Sequence, residues 1–282
     1  MTRQQKKTLK MALSYLVIVL IGCLLLFPIA WMISCAFKTN EEIFGSIALL
    51  PKSFSFQNFV DGWKSAGSYT YLTYFLNSFA LVVPTTVLTI ASSALVAYGF
   101  ARFEFPFKKQ LFALLLATLM LPNSVVIIPR YVLFNKFGWV DSYMPWWVPA
   151  ILACYPFFIY QLIQFMRSIP RDLDESAYID GCSTFRVFWQ ILLPLMKSSL
   201  FSAGLFQFLW TYNDYFNSLI FINSVKKYTV SLALRLSVDA ESVVVWGRVM
   251  AMACVAVLPL VLLFFAAQKY FVEGIATSGL KG

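Results

Sequence analysis

The sequence predicts an all-α membrane protein of six transmembrane helices, and three observations carry that prediction. Of its 282 residues 60% are hydrophobic and 12% charged, against roughly 45–50% and 25% in soluble domains. The apolar residues gather into runs of about twenty or more, long enough to cross ~30 Å of hydrocarbon as helices. Basic residues collect between alternate runs, as they do in cytoplasmic loops.

The expected spans are residues 11–34, 75–100, 111–133, 144–165, 198–222 and 246–271, within one membrane domain over 1–282. The first follows Arg3, Lys6, Lys7 and Lys10. It exceeds the ~7–15 apolar residues of a signal-peptide core and lacks a small-residue cleavage site, so we read it as a permanent span. A loop over 38–70 follows on the outer side. Arg102, Lys108 and Lys109 come after span two, and Arg167, Arg171, Arg186 and Lys197 after span four. Both termini are then cytoplasmic. The bias is moderate, because outer basic residues mix with Glu41, Glu42, Asp61, Asp141, Asp239 and Glu241.

Pro28, Pro84, Pro122, Pro129, Pro149, Pro156 and Pro259 fall inside the runs. Each removes a backbone donor and bends its helix. Trp31, Trp139, Trp146, Trp147 and Trp246 are placed near outer boundaries, as amphipathic anchors at headgroup level.

Several function classes are excluded or disfavoured. The formal charge of +9 comes from 22 Lys and Arg scattered between apolar runs, not from a basic face suited to nucleic acid. There is no histidine, which removes the usual general base, the serine-hydrolase triad and the HExxH zinc site. No catalytic or metal site is expected. Cys23, Cys35, Cys154, Cys182 and Cys254 show no metal-ligand spacing. A GxxxxGK[ST] phosphate loop is absent, so any ATP that drives the function must bind to another subunit.

The stretch 168–195, SIPRDLDESAYIDGCSTFRVFWQILLPL, is too polar to span. Pro170 suits an opening helical turn, and Asp172, Asp174 and Glu175 place negative charge at its exposed amides. Gly181 supplies the positive φ that ends a helix, and Ser183 can cap the next. Phe185, Phe188, Trp189 and Leu192 then recur at i, i+3, i+4 and i+7, predicting one apolar stripe against the bundle or membrane, with Pro194 as the stop. The first helix, with Leu173, Ala177 and Ile179 among acids and Ser176 small enough for close approach, suits a partner's groove.

This stretch resembles the EAA loop of binding-protein-dependent ABC importer permeases. The family pattern is Glu-Ala-Ala, three residues, Gly, nine residues, then Ile-x-Leu-Pro. Glu175, Ala177, Gly181, Ile191, Leu193 and Pro194 meet every spacing, Asp180 completes an Asp-Gly pair, and Ser176 replaces the second Ala. The wider chain, through LPNSVVIIPRYVLFNKFGWVDS to the tail FVEGIATSGLKG, is similar to the carbohydrate branch of that family, of the maltose and multiple-sugar kind.

The resemblance implies a type I importer fold and a heterodimer with a second permease. It also implies two ATPase subunits holding ATP and magnesium, an extracytoplasmic solute-binding protein, a sugar cargo and a multi-pass place in a bacterial inner membrane. It makes Asp174, Glu175, Ser176, Ala177, Asp180, Gly181, Ile191 and Pro194 the coupling residues. No cofactor is expected on this chain itself. Asn213 and Asp214, inside the fifth run at about 24 Å above Ser198 by helical rise, fit either an aqueous pathway or a polar pair that bonds the partner permease. The tail beyond Lys269 could reach the ATPases or serve as a flexible end. Other cargoes, glycerol-phosphate or an acidic sugar, are weakly allowed by Lys226, Lys227 and Arg235. An ion-coupled secondary transporter would share the six spans but leaves the EAA loop unexplained.

Overall fold

The structure is a computed structural model. It describes the backbone of residues 3–64, 69–239 and 244–279, and their side chains except those of 3–6, 8–9, 239 and 269–279. Every regular element among these residues is helical. Lys10–Cys35, Tyr71–Arg102, Met144–Arg167 and Trp246–Gln268 are each long and apolar enough to cross a membrane, and counting each of two bent helix pairs as one span gives six.

The chain divides into two compact units, Met1–Tyr71 with Leu234–Pro259, and Leu72–Ala233 with Leu260–Gly282. In the first unit the opening span exposes nearly every side chain from Met11 to Leu26, which hydrocarbon tolerates because lipid tails are as apolar as leucine. The segment after Cys35, expected only as a loop, contains two short helices, Asn40–Gly45 and Gln57–Lys64. Thr39 caps the first by accepting the Glu42 amide.

Polar side chains fasten this segment to the start of the last span. Asn40 donates to the Val244 carbonyl at 2.6 Å and accepts from the Trp246 amide at 2.8 Å. Asn58 Nδ2 donates to the carbonyls of Ala36 and Lys38, each at 3.0 Å. Gly247 is what lets the backbones meet: a Cβ there would fall 2.5 Å from the Lys38 carbonyl oxygen.

The second unit holds spans two to five, and apolar cores join them. One joins Ala97 and Ala101 of span two, Leu162 and Met166 of span four, Val187 and Leu192 of the inter-span loop, and Ala203 of span five. Another gathers Leu81, Ile127, Phe134, Trp146 and Phe221. Trp146 is only 4% exposed. It is a core residue rather than the boundary anchor its sequence neighbourhood suggests.

Three expected continuous runs are broken. Span three is two helices, Lys108–Leu119 and Asn123–Lys136, bent by 103°. Pro122 stands at the break with extended ψ of 139°, and the residue before a proline is disfavoured from helical geometry. Span four pauses between Ile151 and Pro156, with Ala153 at φ 55°. The run predicted over 198–222 ends as a helix at Tyr212 and resumes over Tyr215–Phe221. Asp214 is therefore not a mid-helix carboxylate in hydrocarbon, and the height estimated from uninterrupted helical rise does not apply. It caps the second piece by accepting the Asn217 amide at 3.1 Å. The last helix continues to Gly279, and the side chains of the tail lie outside the described residues.

Candidate functional site

The loop between spans four and five forms a helix over Asp172–Ile179, a sharp turn, and a second helix over Thr184–Leu195 that meets Lys197–Tyr212 at 77°. The turn is a Schellman motif: Cys182 N–H donates to the Ala177 carbonyl at 2.9 Å and Gly181 N–H to Tyr178 at 3.1 Å. Gly181 holds φ +81°, with no atom within 4 Å of where a Cβ would stand. Its role is conformational, not steric. Ser183 accepts the Arg186 amide and opens the second helix.

That second helix departs from the predicted stripe. Its turn over Val187–Leu192 is a π-helix, and the wider turn splits the four apolar residues. Phe188 and Leu192 are buried, whereas Phe185 and Trp189 stay exposed and stack with centroids 6.3 Å apart. With Ile90, Leu200 and Phe208 they line an apolar cavity of about 610 Å³. The helix closes at Leu195, one residue after Pro194 and before span five opens at Lys197. A proline in the final turn after a π-turn removes a donor from a ladder that is already offset.

The helix over Asp172–Ile179 has two faces. Asp174 and Ala177, three residues apart and so on one side, are buried against the chain's own bundle. This corrects the expectation that both would face a partner. Glu175, Ser176 and Asp180 are exposed, and Ser176 Oγ donates to the Asp172 carbonyl at 2.8 Å. Leu173, Tyr178 and Ile179 add apolar surface, Ile179 with 86% exposure. Of the remaining motif residues, Ile191 is half-buried and Pro194 exposed.

The inward face is gripped by the end of span two. Arg102 Nε lies 2.6 Å from Asp174 Oδ2, with both side chains under a tenth exposed, and Arg102 Nη2 donates to the Ile169 carbonyl at 3.1 Å. Arg171 Nη2 returns the grip, donating to the Ala101 carbonyl at 3.3 Å. Tyr98 Oη donates to the Thr184 carbonyl at 3.0 Å, and its ring stacks on Phe188 at 4.9 Å. Burial pushes the Asp174 carboxyl above its ordinary value, against the pull of Arg102 and Arg171. The sequence reading missed this clamp because it took Arg102 and Arg171 as orientation signals alone. The available clue was a cation closing one span and acids opening the helix after another.

Asn213 and Asp214 are separated from the elbow by span five. Asp214 Oδ2 accepts the Trp146 indole N–H at 3.2 Å, and Asn217 Nδ2 reaches both carboxylate oxygens at 2.9 Å. The exposed Asn213 donates its side-chain amide to the Leu209 carbonyl of its own helix at 2.9 Å. Among the described residues no cluster of three or more His, Cys, Asp or Glu side chains could hold a metal ion.

Comparisons with known proteins match this architecture. Residues 90–277 fit the family model described as binding-protein-dependent transport system inner membrane component. The chain is 35% identical over 256 residues to the probable ABC transporter permease protein YurM of Bacillus subtilis (strain 168), covering 91% of this chain and 84% of that one. It is 30% identical over 278 residues, 99% of each chain, to the trehalose/maltose transport system permease protein MalG of Thermococcus litoralis. It is 30% identical over 268 residues, 93% of each, to the arabinooligosaccharides transport system permease protein AraQ of Bacillus subtilis (strain 168). Among solved structures, a chain of a bacterial ABC transporter involved in the import of the acidic polysaccharide alginate superposes with a TM-score of 0.81 at 17% identity, covering 96% of this chain and 99% of that one. With the family model spanning most of the sequence, an elbow at the motif's spacing and six apolar spans, the chain belongs to the binding-protein-dependent inner-membrane components, the permeases of ABC importers.

Proposed function

We propose that this chain is the permease subunit through which a sugar, in particular an oligosaccharide, crosses the inner membrane at the expense of ATP hydrolysed elsewhere. Family membership makes it a membrane subunit of a complex with an ATPase and a binding protein. The proposed assembly is a heterodimer with a second permease, two ATPase subunits holding ATP and magnesium, and one extracytoplasmic solute-binding protein. Both termini of this chain face the cytoplasm. Relatives named for trehalose/maltose and arabinooligosaccharides support the cargo class.

The observation that carries the mechanism is the two-faced docking helix. Its outer face combines exposed Leu173, Tyr178 and Ile179 with the acids Asp172, Glu175 and Asp180, surface that asks for a partner. Its inner face is locked to span two through Arg102 and Asp174. An ATPase that seats the outer face then moves span two and span five together, because the joint between them is stiff. Asn213 and Asp214 are the polar candidates along the translocation route.

Replacing Ile179, the most exposed apolar residue of the helix, by Asp tests this reading. The variant is expected to insert normally, to lose the copurifying ATPase and to lose uptake. Full retention of the ATPase with normal uptake would overturn the docking assignment. The cargo is tested separately, by calorimetry of the cognate binding protein against a panel of sugars, glycerol-phosphate and uronates. Capture of a non-sugar would sink that part alone.

A further inference from the structure

Beside the clamp lies a second, polar cavity of about 460 Å³, walled by Ala101, Arg102, Glu104, Lys108 and the segment from Arg167 to Arg171. Arg102 closes span two, Lys108 opens span three, and Arg167 closes span four. Residues that end spans on one side share the depth of the lipid headgroups, so basic side chains from four points of the chain converge at that level. Placement of positive charge on one side of the membrane explains their sign. It does not explain why they wall one cavity.

Their present partners leave charge to spare. Arg102 faces Asp174, and Lys108 Nζ sits 2.8 Å from Glu104 Oε1. The Arg171 guanidinium donates to the Ala101 carbonyl, and the Arg167 guanidinium rests 5.1 Å from the centre of the Phe112 ring. Among the described residues no carboxylate lies within 4.0 Å of Arg167 or Arg171. Glu104 is held below the ordinary carboxylate range by the hydrogen bond and charge of Lys108 and by nearby Arg171, so it stays ionised and partly offsets the cations. Apolar surface flanks Lys108 along the chain: Phe107, in a left-handed conformation with φ 61°, is 72% exposed, and Leu111 is exposed one turn further on.

We propose that this cavity binds the phosphate group of an anionic phospholipid, with the acyl chains lying along Phe107 and Leu111. Arg167 and Arg171 supply the free donors, and Arg102 and Lys108 supply field. Basic pockets between membrane helices on the cytoplasmic side suit such headgroups. Because Arg102 and Arg171 also hold the docking helix, a bound lipid would brace the joint from below. The inference rests on the membrane placement of the chain, and neither the cargo nor the ATPase contact enters it.

The test is native mass spectrometry of the intact transporter, purified in mild detergent and titrated with an equimolar mixture of phosphatidylglycerol and phosphatidylcholine. Wild type is expected to retain phosphatidylglycerol preferentially. Arg167→Gln, which gives up only a ring contact in the fold, should weaken that retention about fivefold, and Arg167→Gln with Arg171→Gln roughly 25-fold, the effect of one and two charges near a membrane surface. The matching Lys variants should keep most of it, and Lys136→Gln, at the other end of span three, should change nothing. Equal retention of both lipids by wild type, an unchanged preference in Arg167→Gln, or an equal loss in Lys136→Gln would each overturn the proposal. So would calorimetry showing that inorganic phosphate alone fills the site while no lipid is preferred.

Discussion

Arg102, the last residue of span two, places its Nε 2.6 Å from the carboxylate of Asp174 in the first turn of the docking helix, and neither side chain sees much solvent. The pair ties the loop helix over Asp172–Ile179 to the end of span two. Removing one partner of such a pair leaves a buried charge uncompensated, at roughly 3–5 kcal/mol, whereas replacing both by apolar residues is far milder. Arg102→Met and Asp174→Leu should therefore each lower thermal stability sharply, and the double variant should recover much of the loss. If transmission runs through the joint, the double variant regains stability but couples ATP hydrolysis to uptake poorly. Thermal unfolding read beside solute-stimulated ATPase activity separates the two effects.

Gly181 is a conformational requirement in open space, since it combines φ +81° with no atom within 4 Å of a would-be Cβ. Gly181→Asn should be tolerated, because asparagine enters the left-handed region readily. Gly181→Val should cost about 1–2 kcal/mol or more and uncouple transport. Uptake and ATPase assays on the two variants decide this, and equal behaviour would contradict it.

Gly247 is the opposite case. Its missing side chain makes room for the Lys38 carbonyl and Asn58, so Gly247→Ala should destabilise the first unit by about 1–3 kcal/mol through overpacking. Gly99, in the last turn of span two with nothing within 4 Å, is the control. Gly99→Ala should be neutral or stabilising by about 0.5–1 kcal/mol. Differential scanning fluorimetry of both variants gives the comparison.

Asp141 buckles two loops of the second unit. It accepts from the backbone amides of Asn223 and Ser224 at 3.0 and 2.8 Å, from Ser224 Oγ at 2.6 Å and from Lys227 Nζ at 2.9 Å. Burial alone would raise its carboxyl, but the bonds from Ser224 and Lys227, then those from the backbone, outweigh it and hold the group well below the usual carboxylate range. A depressed folded value means that its stabilisation is present above the unfolded value of about 3.9 and fades only as pH falls through the lower folded value. Hydrogen exchange should find the Asn223 and Ser224 amides still protected near pH 4 and released in stronger acid, with Asp141→Ala releasing them at neutral pH.

Asp214 carries a cap and a buried indole bond at once. Asp214→Ala should cost about 1 kcal/mol for the cap and a further 1–3 kcal/mol for the stranded Trp146 donor. Asp214→Asn keeps one carbonyl acceptor, enough for the Asn217 amide or the Trp146 indole but not for both, and should retain only part of the stability. If the carboxylate serves the translocation route, Asp214→Asn nevertheless loses uptake; if it serves packing alone, uptake survives.

Properties that depend on one short stretch of chain were legible from the sequence alone. Gly181 had to be left-handed and Ser183 had to cap, because backbone preference and a side chain three residues away decide both. The membrane class followed equally from the length of the apolar runs. The sequence could also place Asp174 and Ala177 on one helical face, but not say that the face turns inward. That choice is made by Arg102, seventy-two positions away along the chain, and by the bundle it closes. The same holds for Trp146, drawn from an expected boundary into the core by Phe221 and Asp214, and for the break at Asp214. Hydropathy records how much apolar surface a segment must hide. Only packing decides against what each side chain hides it, and which charges are brought within reach of one another.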